Sequence, residues 1–348
     1  MPDYKLIGKN YITPDLVAKV TGRAKYAEDF RAEGMLFTKL LSSPMPHARV
    51  RSLNTRAAER IPGVEAILTA DQLVSVDAPN EAALTNEPLY EGEPIAAVAA
   101  VDELTAAEAV ERIQVELEPL PFSLDPLDSL RPNGTNARSD GNTIVDGEVK
   151  TIKWTEADFA ELAQGRLPRG EVPQEWSYGD LDAGFAEAEL VLDETAFNQS
   201  LSHQPLETRT CMAYWQNGKV YVHPSVQSTA RSVGRIARYA GVSPDDVVLI
   251  NEYTGGGFGS KGSGYPQIPI PVLLSKMTGK PVMMRVTRRE ENFIGRARPG
   301  IQARAKIGFR RDGRILVLDG PLQLVPFTVE SAFEGTSFVD GQSKRPDV

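Results

Sequence analysis

Residues 251–265 read NEYTGGGFGSKGSGY, and their glycines follow directly on an apolar run. The preceding residues, DDVVLINEY, predict a strand that leads into these glycines. Residues without a Cβ let successive backbone N–H groups approach a single ligand, so the stretch predicts a site for an anionic or oxo group. A tight bulge or a close crossing of strands is the structural alternative.

Two nucleotide-binding motifs match this stretch only in part. Gly257, Gly259 and Gly262 form a GxGxxG, but no βαβαβ pattern precedes them and prolines interrupt the helix that follows. The phosphate-binding P-loop also fails, because Ser260 takes the glycine position before Lys261 and Gly262 replaces the hydroxyl residue that would hold magnesium. A nicotinamide-dependent dehydrogenase is therefore a weak alternative.

Composition excludes several classes of function. The 348 residues include 38 Lys and Arg against 47 Asp and Glu, a net charge of −9, which argues against a nucleic-acid partner. A chain of this length predicts two domains. No apolar leader and no run of about 18 apolar residues is present, so we expect a cytoplasmic protein without a membrane span.

Cysteine and histidine are too few for a metal site built by the protein alone. Cys211 is the single cysteine, which argues against a disulfide framework and places any iron–sulfur cluster on another chain. His47, His203 and His223 are far apart in sequence, whereas zinc and iron sites need three or four converging ligands. Any metal is therefore expected to arrive on a cofactor.

The apolar pattern predicts an α+β protein with two domains. Residues 15–130 hold apolar runs at 35–41 and 95–101, which predict strands, and a helix beginning near Thr105. Residues 131–175 are rich in turn residues and predict a linker or excursion with a short helix near TEADFAELA. Residues 176–348 predict a second domain, with a helix that ends at Gly241 and a hairpin at Asp312 and Gly313.

Several segments together resemble a known family. TGGGFGSK at 254–261 and HPSVQSTARSV upstream resemble the molybdopterin-binding large subunit of the xanthine dehydrogenase and aldehyde oxidase family of molybdenum hydroxylases. VTGRAKYAEDF, EGEPIAAVAAV, LSHQPLETRTCMAYW and GKPVMMRVTRREENF agree in order, so the resemblance covers roughly residues 7–318. It implies an N-terminal a/b hammerhead domain over 15–130, followed by the first part of a molybdopterin-binding α+β domain over 176–348.

The resemblance also assigns roles to residues. It implies that Gln227 donates a hydrogen bond to an oxo ligand of molybdenum and that Phe258 adds an apolar wall, which makes both catalytic candidates. No residue would bind the metal directly, since the pterin dithiolene holds it. The cofactor-binding candidates are Gln227, Gly255, Gly256, Gly257, Phe258, Gly259, Ser260 and Lys261.

Each candidate side chain also has a structural interpretation. Gln227 could be a solvent-facing residue at a helix start, and Phe258 a core residue. Lys261 could be a solvated charge or could balance the cofactor's phosphates. RREEN at 288–292 is interpreted as a surface cluster of ion pairs.

The sequence departs from the family in two places. Gly262 follows Lys261 where the family often has a substrate-binding glutamate, which argues against recognition of a purine. After Asp319 none of the family's later motifs appears, including the glutamate that acts as general base, and neither Glu330 nor Glu334 is assigned that role. The active site is therefore expected to be incomplete in this chain, which is either a natural half subunit or a fragment.

The resemblance implies a complete enzyme of several chains. It would oxidise an aldehyde or an N-heteroaromatic compound with oxygen from water, using molybdenum on molybdopterin in its cytosine dinucleotide form. A second molybdopterin-domain chain would carry the catalytic glutamate, and electrons would leave through Fe-S clusters and FAD on partner subunits. The alternative function is a non-catalytic assembly or docking subunit of such a complex.

Overall fold

A computed structural model describes residues 5–73, 82–145, 148–168, 170, 178–262, 264–265, 267–294, 297–298, 300–319 and 322–325. Glu330 and Glu334 lie outside the described residues. In the first half, apolar runs form the strands as predicted, and the Asp102 carboxylate caps the first long helix by accepting from the Thr105 N–H at 2.7 Å. The elements are α1 (Leu16–Val20), β1 (Leu36–Ser42), β2 (Ala48–Asn54), α2 (Arg56–Glu59), β3 (Val64–Thr69), β4 (Pro94–Ala100), α3 (Glu103–Arg112), β5 (Gln114–Pro119), α4 (Pro126–Leu130), β6 (Thr143–Val145) and β7 (Glu148–Lys150).

The second half carries the glycine-rich stretch. Its longest α-helix ends at Gly241, whose φ of 69° is left-handed, and Gly313 turns the predicted hairpin with a φ of 84°. The elements are α5 (Leu181–Glu187), β8 (Leu190–Asn198), β9 (Leu201–Ser202), β10 (Cys211–Gln216), β11 (Lys219–Pro224), α6 (Thr229–Ala240), β12 (Val247–Leu249), α7 (Pro269–Thr278), β13 (Val282–Met284), α8 (Arg288–Phe293), β14 (Ala297–Arg298), β15 (Gly300–Phe309), β16 (Ile315–Asp319) and β17 (Leu322–Val325).

One sheet runs through both predicted domains. Within the described part of the chain it has seven strands in the order β12-β11-β10-β13-β1-β4-β3. The halves meet where β1 pairs in parallel with β13, Leu36 opposite Val282 and Thr38 opposite Met284. The main hydrophobic core also draws on both halves, for example Leu36 and Leu68 with Val222. The two segments predicted as separate domains therefore share a sheet and a core.

The predicted linker is partly packed. Strands β6 and β7 pair as a hairpin, and Trp154, Phe159 and Leu167 are buried together with Leu127 of α4. The short helix predicted near TEADFAELA is two 3₁₀ turns, Glu156–Phe159 and Leu162–Gln164. This part of 131–175 is an excursion with a small hydrophobic cluster of its own.

A second sheet lies beside the main one in the second half. Strand β15 pairs along its length with β8, and on its other edge with β16 and β17. On one face of this sheet, the Arg304 side chain forms ion pairs with Asp193 and Glu161. Gly308 lies on the same face, and Ala188, the residue that follows α5, packs against it. The opposite face is mostly apolar and includes Glu194 and Asn198 of β8. Among the described residues, no helix is long and apolar enough to cross a membrane.

Candidate functional site

The glycine stretch forms a loop between β12 and α7, and Gln227 lies against it. Gln227 follows the end of β11 and precedes the Ser228 cap of α6, so strand and helix together fix its backbone. Its side-chain Oε1 accepts hydrogen bonds from the Gly259 N–H at 2.9 Å and the Lys261 N–H at 3.2 Å. Its own N–H donates to the Lys261 carbonyl at 3.0 Å. The structure thus brings together two motifs that are about thirty residues apart in sequence.

Close approach of other residues explains two of the glycines. A Cβ at Gly257 would lie 2.5 Å from Gln227 Oε1, and a Cβ at Gly255 would lie 2.5 Å from the Cβ of Glu207. Real Cβ atoms are not found so close to other heavy atoms. Any side chain at either position would therefore displace Gln227 or Glu207 from the loop.

Glu207 fixes the start of the loop. Its Oε2 accepts from the Gly255 N–H at 2.6 Å, and its Oε1 accepts from the Ala27 N–H at 3.2 Å. The Glu207 N–H in turn donates to the Gly255 carbonyl at 3.2 Å. One carboxylate therefore ties the loop to a 3₁₀ turn of the N-terminal segment. The sequence analysis missed Glu207, since a contact across such separations leaves no local pattern.

Lys261 is buried beneath the loop and is not a solvated charge, so that interpretation is wrong. Its side chain is 0% exposed, and Nζ donates to the Glu207 carbonyl and the Ser225 hydroxyl, each at 2.6 Å. The Glu207 carboxylate oxygen lies 3.9 Å from the same Nζ. Burial lowers the pKa of Lys261 to about 8, and the Glu207 charge opposes that shift. We call these contacts of Glu207, Gln227 and Lys261 the inner side of the loop.

The outer side of the loop presents backbone donors. The N–H groups of Gly256, Gly257 and Phe258 donate to no acceptor among the described residues. Gly256 and Phe258 have φ values of 99° and 51°, whereas Gly257 between them is not left-handed. Alternation of this kind turns successive N–H groups into a concavity, which is the nest that binds anionic groups.

The side chains in this stretch divide between the two sides. Phe258 is 62% exposed, so its interpretation as a core residue is wrong. Ser260 is fully buried, and its hydroxyl donates to the Gly257 carbonyl at 2.9 Å. The side chains of Ser260 and Lys261 therefore face the interior, and their hydrogen bonds hold the shape of the loop. His203 approaches from outside, 3.8 Å from where a Cβ at Gly259 would lie.

A buried ion pair supports the strand that enters from Glu207. Glu291 is 1% exposed and accepts from the Arg209 N–H at 2.7 Å, while the Arg209 guanidinium donates to its other oxygen. Burial raises the pKa of the Glu291 carboxyl, and the adjacent Arg209 opposes that shift. The interpretation of residues 288–292 as a surface ion-pair cluster is therefore wrong for Glu291, because its partner lies in a distant segment.

No metal-binding cluster accompanies the loop. In the part of the chain that the structure describes, no group of three or more His, Cys, Asp or Glu side chains could hold a metal ion. Cys211 is buried in the main core, and that burial raises the pKa of its thiol. The donors at the site are therefore backbone amides and one carboxamide.

Comparison with known families matches both halves of the chain. A family model described as "Aldehyde oxidase and xanthine dehydrogenase, a/b hammerhead domain" matches residues 21–121. A second, described as "Molybdopterin cofactor-binding domain", matches residues 165–323 and includes Gln227 and the whole glycine loop. The two ranges together take in most of the chain.

Curated relatives extend the match. The nicotinate dehydrogenase large molybdopterin subunit of Eubacterium barkeri is 29% identical over 320 residues, covering 90% of this chain and 69% of the relative. The probable hypoxanthine oxidase XdhD of Escherichia coli K12 is 27% identical over 335 residues, 90% of this chain and 35% of the relative. The carbon monoxide dehydrogenase large chain of Afipia carboxidovorans is 29% identical over 311 residues, which cover 85% of this chain and 37% of the relative. The chain thus spans little more than a third of the length of two of these relatives.

Solved structures share the fold. A Cu,Mo-containing CO dehydrogenase superposes with a TM-score of 0.74 at 26% identity, covering 90% of this chain and 40% of the other. The aldehyde oxidoreductase of Desulfovibrio gigas superposes with a TM-score of 0.72, and the match covers 91% of this chain and 34% of the other. At 23% identity it supports the fold alone.

Proposed function

The chain belongs to the xanthine dehydrogenase and aldehyde oxidase family of molybdenum hydroxylases, as its sequence predicted, and we propose that its glycine loop and Gln227 hold the molybdenum cofactor of such an enzyme. Family membership makes it part of an oxidoreductase, and the order of a hammerhead segment followed by a molybdopterin-binding domain confirms the predicted α+β fold class.

One observation carries the assignment of the site. Three successive N–H groups, from Gly256 to Phe258, have no acceptor among the described residues. Oxo, dithiolene and phosphate groups accept hydrogen bonds, so a molybdopterin fits this donor set. When bound, the cofactor supplies two-electron redox chemistry and the oxygen that is transferred to the substrate.

The inner side of the loop fixes which atom of Gln227 faces outward. Its Oε1 is occupied by two N–H donors, Gly259 and Lys261, so the neighbouring atom of the carboxamide must be Nε2. This Nε2 has no acceptor among the residues described. Gln227 therefore offers a neutral donor, which suits an oxo ligand because it adds neither charge nor a titratable proton.

The chain's own contribution is binding and preorganisation. Gln227 and the nest would orient the cofactor, and Phe258 would form an apolar wall that excludes water on its exposed side. Donors fixed before binding need little rearrangement as negative charge develops on oxygen or sulfur. The Lys261 ammonium, buried on the inner side, adds a positive charge behind these amides.

We extend the proposal to substrate and partners. Relatives named nicotinate dehydrogenase and nicotine 6-hydroxylase support an N-heteroaromatic substrate, with aldehydes as the second class. Their names as large subunits support a complex of several chains, in which Fe-S clusters and FAD are on partner subunits and a second molybdopterin-domain chain carries the catalytic glutamate. We further propose the cytosine dinucleotide form of the cofactor and a cytoplasmic location.

The test is metal content and turnover of the complex purified with the tagged chain. We expect molybdenum by elemental analysis, pterin fluorescence after oxidation, and dye reduction with nicotinate or benzaldehyde. Gln227→Ala should lower turnover about 100-fold while molybdenum is retained, as for loss of one transition-state donor. Gln114→Ala on exposed β5 is the matched control. Absence of molybdenum and pterin overturns the proposal, and full turnover in an assembled Gln227→Ala complex favours a docking subunit.

A further inference from the structure

The sheet built on β15 has one apolar face. Residues directly opposite each other on paired strands point to the same face, so the register defines its members. Leu192 of β8 lies opposite Ile307 of β15, and Ile307 lies opposite Leu318 of β16. We call this surface the apolar face. Its described members are mostly apolar, with two polar residues of β8 among them: Leu190, Leu192, Glu194, Ala196, Asn198, Ile301, Ala303, Ala305, Ile307, Phe309, Ile315 and Leu318.

The covered face of the same sheet carries charged side chains among apolar ones. Arg304 on that face donates to both carboxylate oxygens of Asp193 at 2.8 Å and to Glu161 at 2.8 Å. The Lys306 ammonium lies 4.4 Å from the centre of the Phe185 ring of α5. Sheets with one covered face normally turn apolar side chains inward and polar ones to water. Here the covered face holds Arg304 and Asp193 beside Val191 and the buried Val317, while the apolar face leaves several leucines exposed.

Exposure along this face is high. Leu190 is 55% exposed, Leu192 40% and Leu318 43%, on two strands that flank β15. An exposed surface that is mostly apolar and includes a few polar residues is typical of an interface. Strand β8 also has an open edge, because among the described strands it pairs only with β15. Nine residues of open edge can accept a further strand.

We infer that the apolar face and the open edge of β8 are the docking surface for the second molybdopterin-domain polypeptide, an inference that rests on the proposed function. The match to the molybdopterin domain includes this sheet, and several relatives are nearly three times as long as the stretch that matches. A mostly apolar, exposed surface in this domain resembles an obligate interface, which is a domain core divided in two.

Charge on the strand argues against a second copy of this chain as the occupant. Glu194 is the central residue of β8, with Asp193 beside it. Two β8 strands that paired about a twofold axis would bring these carboxylates opposite each other in any nearly centred register, and like charges directly opposite destabilise a sheet. The partner is therefore an apolar layer whose edge strand brings a Lys or Arg opposite Glu194.

Site-specific photocrosslinking tests the surface in the assembled complex. Benzoylphenylalanine is placed at Leu192 or Leu318 in the tagged chain, with Leu104 as control, since Leu104 is 84% exposed on α3 far along the chain. We expect adducts from the first two positions with a polypeptide whose sequence matches a molybdopterin-binding domain, and none from the control. Adducts with a second copy or with residues 326–348, or no adduct, would overturn the inference.

A charged variant measures what the contact contributes. Leu192→Glu should reduce the yield of the two-chain complex at least tenfold, because a carboxylate would be buried against apolar side chains. Leu104→Glu should leave the yield unchanged. Circular dichroism of each variant shows whether it folds, and the crosslinking result stands if Leu192→Glu does not. Crosslinks to the second chain in a complex without molybdenum would support the docking surface and refute the proposed function. Molybdenum in a complex without crosslinks would support the proposed function and refute the docking surface.

Discussion

The two sides of the glycine loop differ in how their hydrogen bonds are used. On the inner side, Glu207, Gln227 and Lys261 are paired with one another's backbone or with the loop itself. On the outer side, three N–H groups and the exposed Phe258 have no such partners among the described residues. The comparison shows how a protein can hold unpaired donors in a fixed geometry. The hydrogen bonds on the inner side fix the loop, so the outer N–H groups stay in place without acceptors.

Removal of Glu207 should have the largest effect on that inner layer. Glu207→Ala leaves the buried Lys261 ammonium without its carboxylate and the N–H groups of Gly255 and Ala27 without acceptors. We expect a loss of about 3–5 kcal/mol in the free energy of unfolding, measured by urea denaturation. The control is Glu108→Ala in an exposed ion pair with Arg112, with an expected loss of below about 0.5 kcal/mol. Equal losses would show that Glu207 is not an anchor.

The charge on Lys261 should make stability depend on pH. Its pKa is lowered to about 8 in the folded protein from an ordinary value of 10.5, so the unfolded chain binds more protons between those values. The free energy of unfolding should therefore rise with pH from about 8 to 10.5, by up to about 1.4 kcal/mol per unit. Lys261→Met should lack this rise when the two proteins are compared by urea denaturation at each pH. Parallel pH profiles would indicate an ammonium in contact with water.

A side chain at Gly257 should break hydrogen bonds on the inner side of the loop and thereby disturb the donors on the outer side. In Gly257→Ala the new Cβ, 2.5 Å from Gln227 Oε1, forces the carboxamide away from its two N–H donors. We expect a loss of about 1–3 kcal/mol in the free energy of unfolding, together with reduced molybdenum content. Gly234→Ala in α6 has open space around its Cβ and should raise stability by about 0.5–1 kcal/mol. Thermal unfolding of both variants separates the two cases.

Replacement of Phe258 should have the smallest effect on folding. Its side chain is 62% exposed and its φ of 51° suits glycine, so Phe258→Gly should stay within about 1 kcal/mol of the unchanged protein. Phe159→Ala in the small cluster of the excursion should lose about 3–5 kcal/mol by comparison. If Phe258→Gly were as destabilising, the outer side would be part of a core.

Local patterns predicted the elements that depend on local physics. The apolar runs gave β1 and β4, the left-handed Gly241 ended α6, and Gly313 marked the hairpin between β15 and β16. The glycine loop and Gln227 were found through the family resemblance, and the structure places them in contact. Their roles toward the cofactor stay predictions.

Pairings between distant segments were not predictable in the same way. Lys261 and Glu291 each lie among residues typical of a surface, and their burial follows from Glu207 and Arg209 in another segment. The parallel pairing of β1 with β13 likewise depends on a register between strands that no periodicity encodes. Such contacts depend on tertiary packing, which overrides the preferences of single residues.

The pairing of β1 with β13 sets an order of events during synthesis. Strand β13 lies between β10 and β1. Strand β1 therefore cannot complete its pairing at Leu36 until the ribosome has synthesised Val282. Contacts of such long sequence separation slow folding, and until then the edges of β1 and β10 are open to other chains. A chaperone that shields the edge of β1 would therefore have to act until residues beyond the glycine loop have been synthesised.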